Sequence, residues 1–279
     1  MLPKSIVTFV CDPSTDQQLL KAAVTLTGRM SGHLTVYCLG IDRTNPGVYY
    51  AGANAIALQR TLAEAEKNAI EAKRYVNQKL EREDIDWSCL AIVVQIGALS
   101  GEVASRAQLA DLILLPKPYG PDRGAENVAI IESALFGTDV PVLVLPDAQA
   151  LADTPDRIVV AWNQSKEALS AIRNALPFLA QAAVVNIVII DPPTHSPDRS
   201  DPGGALAEML ARHGVNTEIS VLPRTMSNVS DILTRHTTEK NADMLVMGAY
   251  GHSRLREAIL GGATRDMLEK AQIPILMAH

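Results

Sequence analysis

The fold is decided by the stretch Ala242-Asp243-Met244-Leu245-Val246-Met247, because its pattern already occurs earlier in the chain as Ala110-Asp111-Leu112-Ile113-Leu114-Leu115. Two further pairs repeat in the same way. Val140-Pro141-Val142-Leu143 returns as Ile273-Pro274-Ile275-Leu276, and the strand-like run and its exit at 6–12 return at 157–163, with Asn163 at the position of Asp12. Internal repetition of this kind indicates a duplicated domain. We therefore predict two domains, residues 1–147 and 156–279, joined by a polar, proline-containing linker from Asp147 to Asp156.

Each half alternates short β-branched runs with segments whose apolar residues recur at helical spacing. In the first half, this pattern predicts a long helix at 57–83 and five strands, at 5–11, 34–39, 90–96, 112–115 and 140–145. It assigns no element to residues 116–139. Ser14 and Gln17 predict a capping box before the first helix. Strands that alternate with helices are typical of an α/β domain with a parallel sheet.

Composition excludes several classes of function. The 279 residues include 25 Lys and Arg against 31 Asp and Glu, which gives a net charge of −6. An acidic chain lacks the basic surface that nucleic acids require, so we expect no nucleic-acid partner. The apolar runs are far shorter than the roughly 20 residues of a membrane helix. We therefore expect a soluble, cytoplasmic protein with no membrane partner.

Cysteine and histidine spacing predicts no metal site. Cys11, Cys38 and Cys89 form no CxxC pair and lie in or beside strand-like runs, which favours buried free thiols. The histidines, at positions 33, 195, 213, 236, 252 and 279, do not have the spacing of metal ligands. The chain also contains no Gly-Lys pair, so it has no P-loop for phosphate.

Glycines cluster after the fourth strand of the second half. Gly248 and Gly251 are separated by two residues, and nine more residues precede Gly261 and Gly262. Glycine lets a backbone approach a ligand closely, and a helix that starts near Gly262 would favour a phosphate at its N-terminus. An alternative stays open, because Gly248 could serve only a tight turn, and Gly261 or Gly262 only close packing.

This glycine spacing within a doubled α/β chain resembles the universal stress protein family in its tandem form, over essentially the whole chain. The resemblance implies two Rossmann-like domains, each a five-stranded parallel sheet of order 3-2-1-4-5 flanked by helices. It also implies that the domains meet along their fifth strands as a pseudo-twofold dimer. In nucleotide-binding members, ATP lies at the carboxyl ends of strands one and four, where the strand order reverses.

Carried over residue by residue, the resemblance implies a nucleotide site formed by Asn163, Gly248, Gly251, Arg254, Gly261, Gly262 and Thr264. Three positions depart from the family pattern. Asn163 replaces an acidic residue, Arg254 stands where glycine is common, and Gly262 replaces a phosphate-contacting Ser or Thr, for which Thr264 is the nearest substitute.

The first half keeps the acidic residue, Asp12, but its fourth strand continues into Leu115-Pro116-Lys117-Pro118-Tyr119-Gly120 instead of the glycine loop. Prolines in that segment also remove backbone donors. We therefore expect at most one nucleotide site, in the second half.

The predicted function is a non-enzymatic stress-response role with an adenine nucleotide, ATP or AMP, in the second domain. No catalytic residue and no metal cofactor are predicted, and a homodimer of whole chains is compatible with the sequence. Two alternatives stay open. One is an interaction module of the same fold that needs no nucleotide. The other is a slow nucleotide hydrolase. The lack of a base or metal-binding carboxylate near the glycine loop argues against a hydrolase.

Overall fold

The computed structural model describes residues 2–44, 55–121, 123–146, 154–192, 201–249 and 262–279. These residues form two compact units, 2–140 and 141–279, each of which is an α/β structure with a mostly parallel sheet. The predicted fold class is confirmed. Among the described residues, none of the helices is both long and apolar enough to cross a lipid bilayer.

The described residues of the first unit form four strands, four helices and a short 3-10 turn. In chain order they are β1 (Ser5–Val10), α1 (Gln17–Met30), β2 (His33–Asp42), α2 (Ala55–Leu80), β3 (Asp86–Gln95), the 3-10 turn (Ile96–Ala98), α3 (Leu99–Ala107), β4 (Leu112–Pro116) and α4 (Ala125–Gly137). The strands are all parallel and pair in the order β3-β2-β1-β4. This order agrees with the one implied for the first four strands.

Close packing fixes α2 against β2. A Cβ atom added to Gly40 would lie 1.9 Å from the Ala65 backbone oxygen and 3.0 Å from the Ala69 side chain, so only glycine permits this approach. The alanines at 65, 69 and 72 are buried, as the helical pattern predicts. The small residues on this face therefore bring the helix backbone directly onto the sheet.

In the second unit, the part of the chain that the structure describes forms six strands and four helices. In chain order they are β5 (Val142–Leu145), β6 (Arg157–Ala161), α5 (Lys166–Leu179), β7 (Val184–Ile190), α6 (Gly204–Arg212), β8 (Thr217–Leu222), α7 (Val229–Glu239), β9 (Met244–Gly248), α8 (Ala263–Lys270) and β10 (Ile275–Ala278). The five strands after β5 pair in parallel in the order β8-β7-β6-β9-β10, which is the order 3-2-1-4-5 within that half.

Strand β5 runs antiparallel to β10, with Leu143 opposite Leu276. Pairing between the two fifth strands is what the resemblance implies. Because of this pairing, the compact units divide before β5, whereas the sequence repeat divides the chain after it. The boundaries predicted from the repeat stay a prediction.

Sequence analysis missed one helix and was wrong about one helix cap. Helix α4 lies in the region to which the sequence pattern assigned no element, because apolar residues follow one another almost continuously from Val128 to Leu135 and mark no single face. The capping box is also absent at α1, where Asp16 occupies the N-cap position. The Ser14 hydroxyl instead donates to Asp12 Oδ1 at 2.7 Å.

Candidate functional site

The strand register of the second unit brings two predicted site residues to one edge of the sheet. Strands β6 and β9 are parallel neighbours with Val160 opposite Val246, so their carboxyl ends lie side by side. Asn163 follows β6 by two residues, and Gly248 is the last residue of β9. This edge lies where the strand order reverses, which is where open α/β sheets bind ligands.

A tight turn orients Asn163 and starts α5. The Asn163 Oδ1 atom accepts a hydrogen bond from the Ser165 backbone N–H at 3.1 Å, while Gln164 adopts a left-handed conformation with φ of 64°. Ser165 is the N-cap, and its hydroxyl oxygen accepts from the Ala168 N–H at 3.1 Å. The side chain at 163 is therefore tied to the first turn of the following helix.

Gly248 lies directly beneath that first turn. A Cβ atom at this position would lie 2.5 Å from the Ala168 nitrogen and 2.7 Å from the Glu167 carbonyl carbon. These neighbours are backbone atoms of α5, and moving them would distort the first turn of the helix at a high energetic cost. Packing against α5 therefore accounts for this glycine whether or not a ligand approaches it.

Helix α8 starts at the same edge of the sheet. It connects the parallel neighbours β9 and β10, so its N-terminus lies near the carboxyl end of β9. Gly262 is the N-cap, with an extended conformation (φ −68°, ψ 151°) that any residue can adopt. Thr264, in the first turn of this helix, is only 3% exposed.

Three predicted site residues, Gly251, Arg254 and Gly261, lie outside the described residues. Their roles stay predictions from the resemblance. Within the ranges that the structure does describe, no group of three or more His, Cys, Asp or Glu side chains is arranged to hold a metal ion.

The first unit has a polar cavity that sequence analysis missed. It has a volume of about 420 Å³ and lies beyond the carboxyl ends of β1 and β2. Charged side chains contribute much of its lining, namely Asp12, Arg43, Glu71, Arg123 and Glu126. These residues come from four distant segments with no local spacing in common. Asp12 and Arg43 follow strand ends and Glu126 lies in the first turn of α4, whereas Glu71 lies in the second half of α2.

One residue of the cavity lining, Arg123, takes part in a buried ion pair. Arg123 Nη1 lies 2.8 Å from Asp16 Oδ1, and the two side chains are 5% and 2% exposed. The other carboxylate oxygen of Asp16 accepts from the Cys11 backbone N–H at 3.2 Å. Burial raises the pKa of Asp16, and the hydrogen bond and charge of Arg123 oppose that rise. A second pair joins Arg43 to Glu126.

Asp12 forms a turn like that of Asn163. Its Oδ1 atom accepts from the Ser14 backbone N–H at 2.8 Å, two residues further on, as Asn163 accepts from Ser165. The repeat that the sequence predicted between these two positions therefore extends to their local hydrogen bonding.

Comparison with known proteins places the second half in a family. Residues 155–279 match the family model described as "Universal stress protein family". This match covers a little under half of the chain, so it is the second half that is similar to the universal stress protein family. The first unit repeats the strand order of the universal stress protein domain, which fits the tandem form.

A universal stress protein of Synechocystis is 26% identical to this chain over 173 residues, which are 60% of this chain and 57% of that relative. The chain thus spans little more than half the length of the relative. Two solved structures share the fold. A universal stress protein of Archaeoglobus fulgidus has a TM-score of 0.73 and 15% identity, with 98% of this chain and 95% of that chain covered. A Pseudomonas aeruginosa protein of unknown function has a TM-score of 0.60 and 16% identity, with 99% and 92% covered.

Proposed function

We propose that the universal stress protein domain, residues 155–279, binds an adenine nucleotide, ATP or AMP, and serves a non-enzymatic role in the stress response. The observation that supports this most is the convergence of Asn163 and the start of α8 at the carboxyl edge where β6 and β9 lie side by side. A polar group that can hold a ribose and a helix N-terminus that favours phosphate then face the same space.

Four of the predicted residues, together with the start of α8, have distinct roles in this proposal. The Asn163 amide nitrogen can donate to a ribose hydroxyl while its oxygen keeps the bond to Ser165. The first turn of α8 favours the negative charge of the phosphates. Gly251 and Gly261 allow the backbone to approach them, and Arg254 supplies a cation.

Calorimetric titration of the full-length chain with ATP and with AMP tests the proposal. A parallel test heats freshly purified protein and chromatographs whatever nucleotide it releases. Saturating nucleotide should raise the unfolding temperature, because a ligand at 100 times its Kd adds about 2.7 kcal/mol to the free energy of unfolding. If ATP also remains intact after prolonged incubation with the protein, the slow hydrolase alternative is excluded.

Position 262 offers a pair of variants that separate phosphate binding from helix capping. Ser and Asp are both good N-cap residues, so Gly262→Ser and Gly262→Asp should change the stability of the ligand-free protein by similar small amounts, a few tenths of a kcal/mol. Their charges differ. Gly262→Ser restores the hydroxyl of the family pattern and should tighten ATP binding by about 0.5 to 1.5 kcal/mol. Gly262→Asp places a carboxylate against the phosphates and should weaken it.

The result that would contradict this prediction is an equal change of ATP affinity in both variants. In that case, the variants would act through the helix and not through a phosphate next to residue 262.

The second candidate function is an interaction module that needs no nucleotide. The close packing of Gly248 against α5 favours it, since this glycine is accounted for without a ligand. A chain that is purified free of nucleotide, and that neither ATP nor AMP stabilises, would support this candidate over the first.

A further inference from the structure

Two thiols lie in contact on neighbouring strands of the first unit. The Cys38 Sγ atom on β2 is 3.5 Å from the Cys89 Sγ atom on β3. Val36 is the register partner of Cys89, and side chains alternate between the two faces of a strand, so both cysteines lie on the face that also carries Gly40. That face packs against α2. The two sulfur atoms are therefore held together between the sheet and a helix.

The two cysteines differ in exposure and in acidity. Cys38 is fully buried, while Cys89 is half-buried, so a small solute reaches Cys89 first. The hydrogen bond with Cys38 and the nearby charge of Lys73 lower the pKa of Cys89. The same hydrogen bond, together with burial, raises the pKa of Cys38. Because the thiolate is the reactive form, Cys89 is the nucleophile of the pair.

We propose that Cys38 and Cys89 are an oxidative modification site, at which a hydroperoxide oxidises Cys89 and Cys38 then closes a disulfide between β2 and β3. This inference is independent of nucleotide binding in the second unit.

The chemistry balances with hydrogen peroxide as the oxidant. The Cys89 thiolate attacks one peroxide oxygen, so that an S–O bond forms, the O–O bond breaks, and the departing hydroxide takes up a proton as water. Cys38 then loses its proton and attacks the sulfur of the Cys89 sulfenic acid. The S–S bond forms, the S–O bond breaks, and a second water leaves. The two sulfurs supply the two electrons that reduce the peroxide.

The strand arrangement allows the two sulfur atoms to approach each other and form a disulfide bond. They must approach from 3.5 Å to about 2.05 Å, the length of a disulfide bond. Among the described strands, β3 is hydrogen-bonded only to β2 and lies at the end of the strand order. An edge strand can shift along its single neighbour more easily than a strand that is held on both sides.

The test treats the reduced full-length chain with hydrogen peroxide and then maps its thiols by alkylation under denaturing conditions. We expect Cys38 and Cys89 to become resistant to alkylation together, the intact mass to fall by about 2 Da, and dithiothreitol to reverse both changes. Cys11 should remain alkylatable, because burial raises the pKa of its thiol. Cys11→Ser is therefore the matched control and should form the same disulfide.

Three variants separate the steps. Cys38→Ala should leave a sulfenic acid on Cys89 that dimedone labels, whereas the parent chain should show little label. Cys89→Ser should keep Cys38 reduced at the same peroxide dose. Lys73→Gln should slow the oxidation of Cys89 about threefold to tenfold, since it removes the cation that favours the thiolate.

Several results would overturn the proposal. One is that both thiols survive excess peroxide in the folded protein. Others are that the parent chain accumulates a stable, dimedone-reactive Cys89, that the disulfide uses Cys11, or that it links two chains.

Discussion

Replacing Arg123 with methionine is expected to lower the free energy of unfolding of the first unit by about 3 to 5 kcal/mol at neutral pH. The reason is that Asp16, whose side chain is 2% exposed, would lose the guanidinium that lies 2.8 Å from its carboxylate. A buried charge without its partner is far more costly than the intact pair. Urea unfolding of the full-length chain measures the loss.

This loss should depend on pH. Burial raises the pKa of Asp16 and Arg123 opposes that rise, so the pKa of Asp16 rises further without the arginine. The folded state then binds a proton more tightly than the unfolded state, in which an Asp titrates near 3.9. Stability therefore increases as the pH falls through the raised pKa, and the deficit of Arg123→Met should shrink toward about pH 4.

The double variant Asp16→Asn with Arg123→Met is the control for this prediction. It removes both charges and keeps an oxygen that can accept from the Cys11 N–H, so it should recover part of the loss. A deficit in Arg123→Met that is under about 1 kcal/mol and constant with pH would mean that the pair is no more important than a surface ion pair.

Replacing Gly248 with valine is expected to destabilise the second unit by about 3 kcal/mol, near the upper end for overpacking. The new Cβ atom would lie 2.5 Å from the Ala168 nitrogen, so the first turn of α5 must move. Because Ser165 ties Asn163 to that turn, ATP affinity should fall as well. Thermal unfolding and ATP titration of the same sample measure the two effects.

Gly97→Val is the matched control, because a Cβ atom at Gly97 meets nothing within 4 Å. It should change neither stability nor ATP affinity by a comparable amount. Equal effects of the two variants would show that loss of glycine flexibility, and not contact with α5, is responsible.

Much of the fold was predictable because its signals are local. The apolar runs at β1, β4 and β6 belong to the repeated segments, and the resemblance supplied the order of the strands. Helix α4 was missed because its apolar residues, at 128–131 and 134–136, do not mark a single face and so show no clear helical period. The capping box failed because Asp12 accepts the Ser14 hydroxyl, a local alternative that spacing does not distinguish.

The candidate site was predictable only in part. Asn163 and Gly248 lie together because parallel register aligns their strand ends, which follows from the predicted order. The packing of Gly248 against α5 depends on how closely a helix approaches the sheet, which no spacing reveals. The cavity around Arg43 and Arg123 was missed for a similar reason, since segments about 80 residues apart meet only in the folded unit.

Titration of ATP into full-length Asn163→Ala and Asp12→Ala tests the central claim most directly. The two side chains accept equivalent turn hydrogen bonds, from Ser165 and Ser14, so both variants lose the same local contact. The account predicts that Asn163→Ala weakens ATP binding about tenfold, the equivalent of one hydrogen bond of about 1.4 kcal/mol, and that Asp12→Ala leaves it unchanged. Loss of binding in Asp12→Ala with Asn163→Ala intact would contradict the account and assign the nucleotide to the cavity of the first unit.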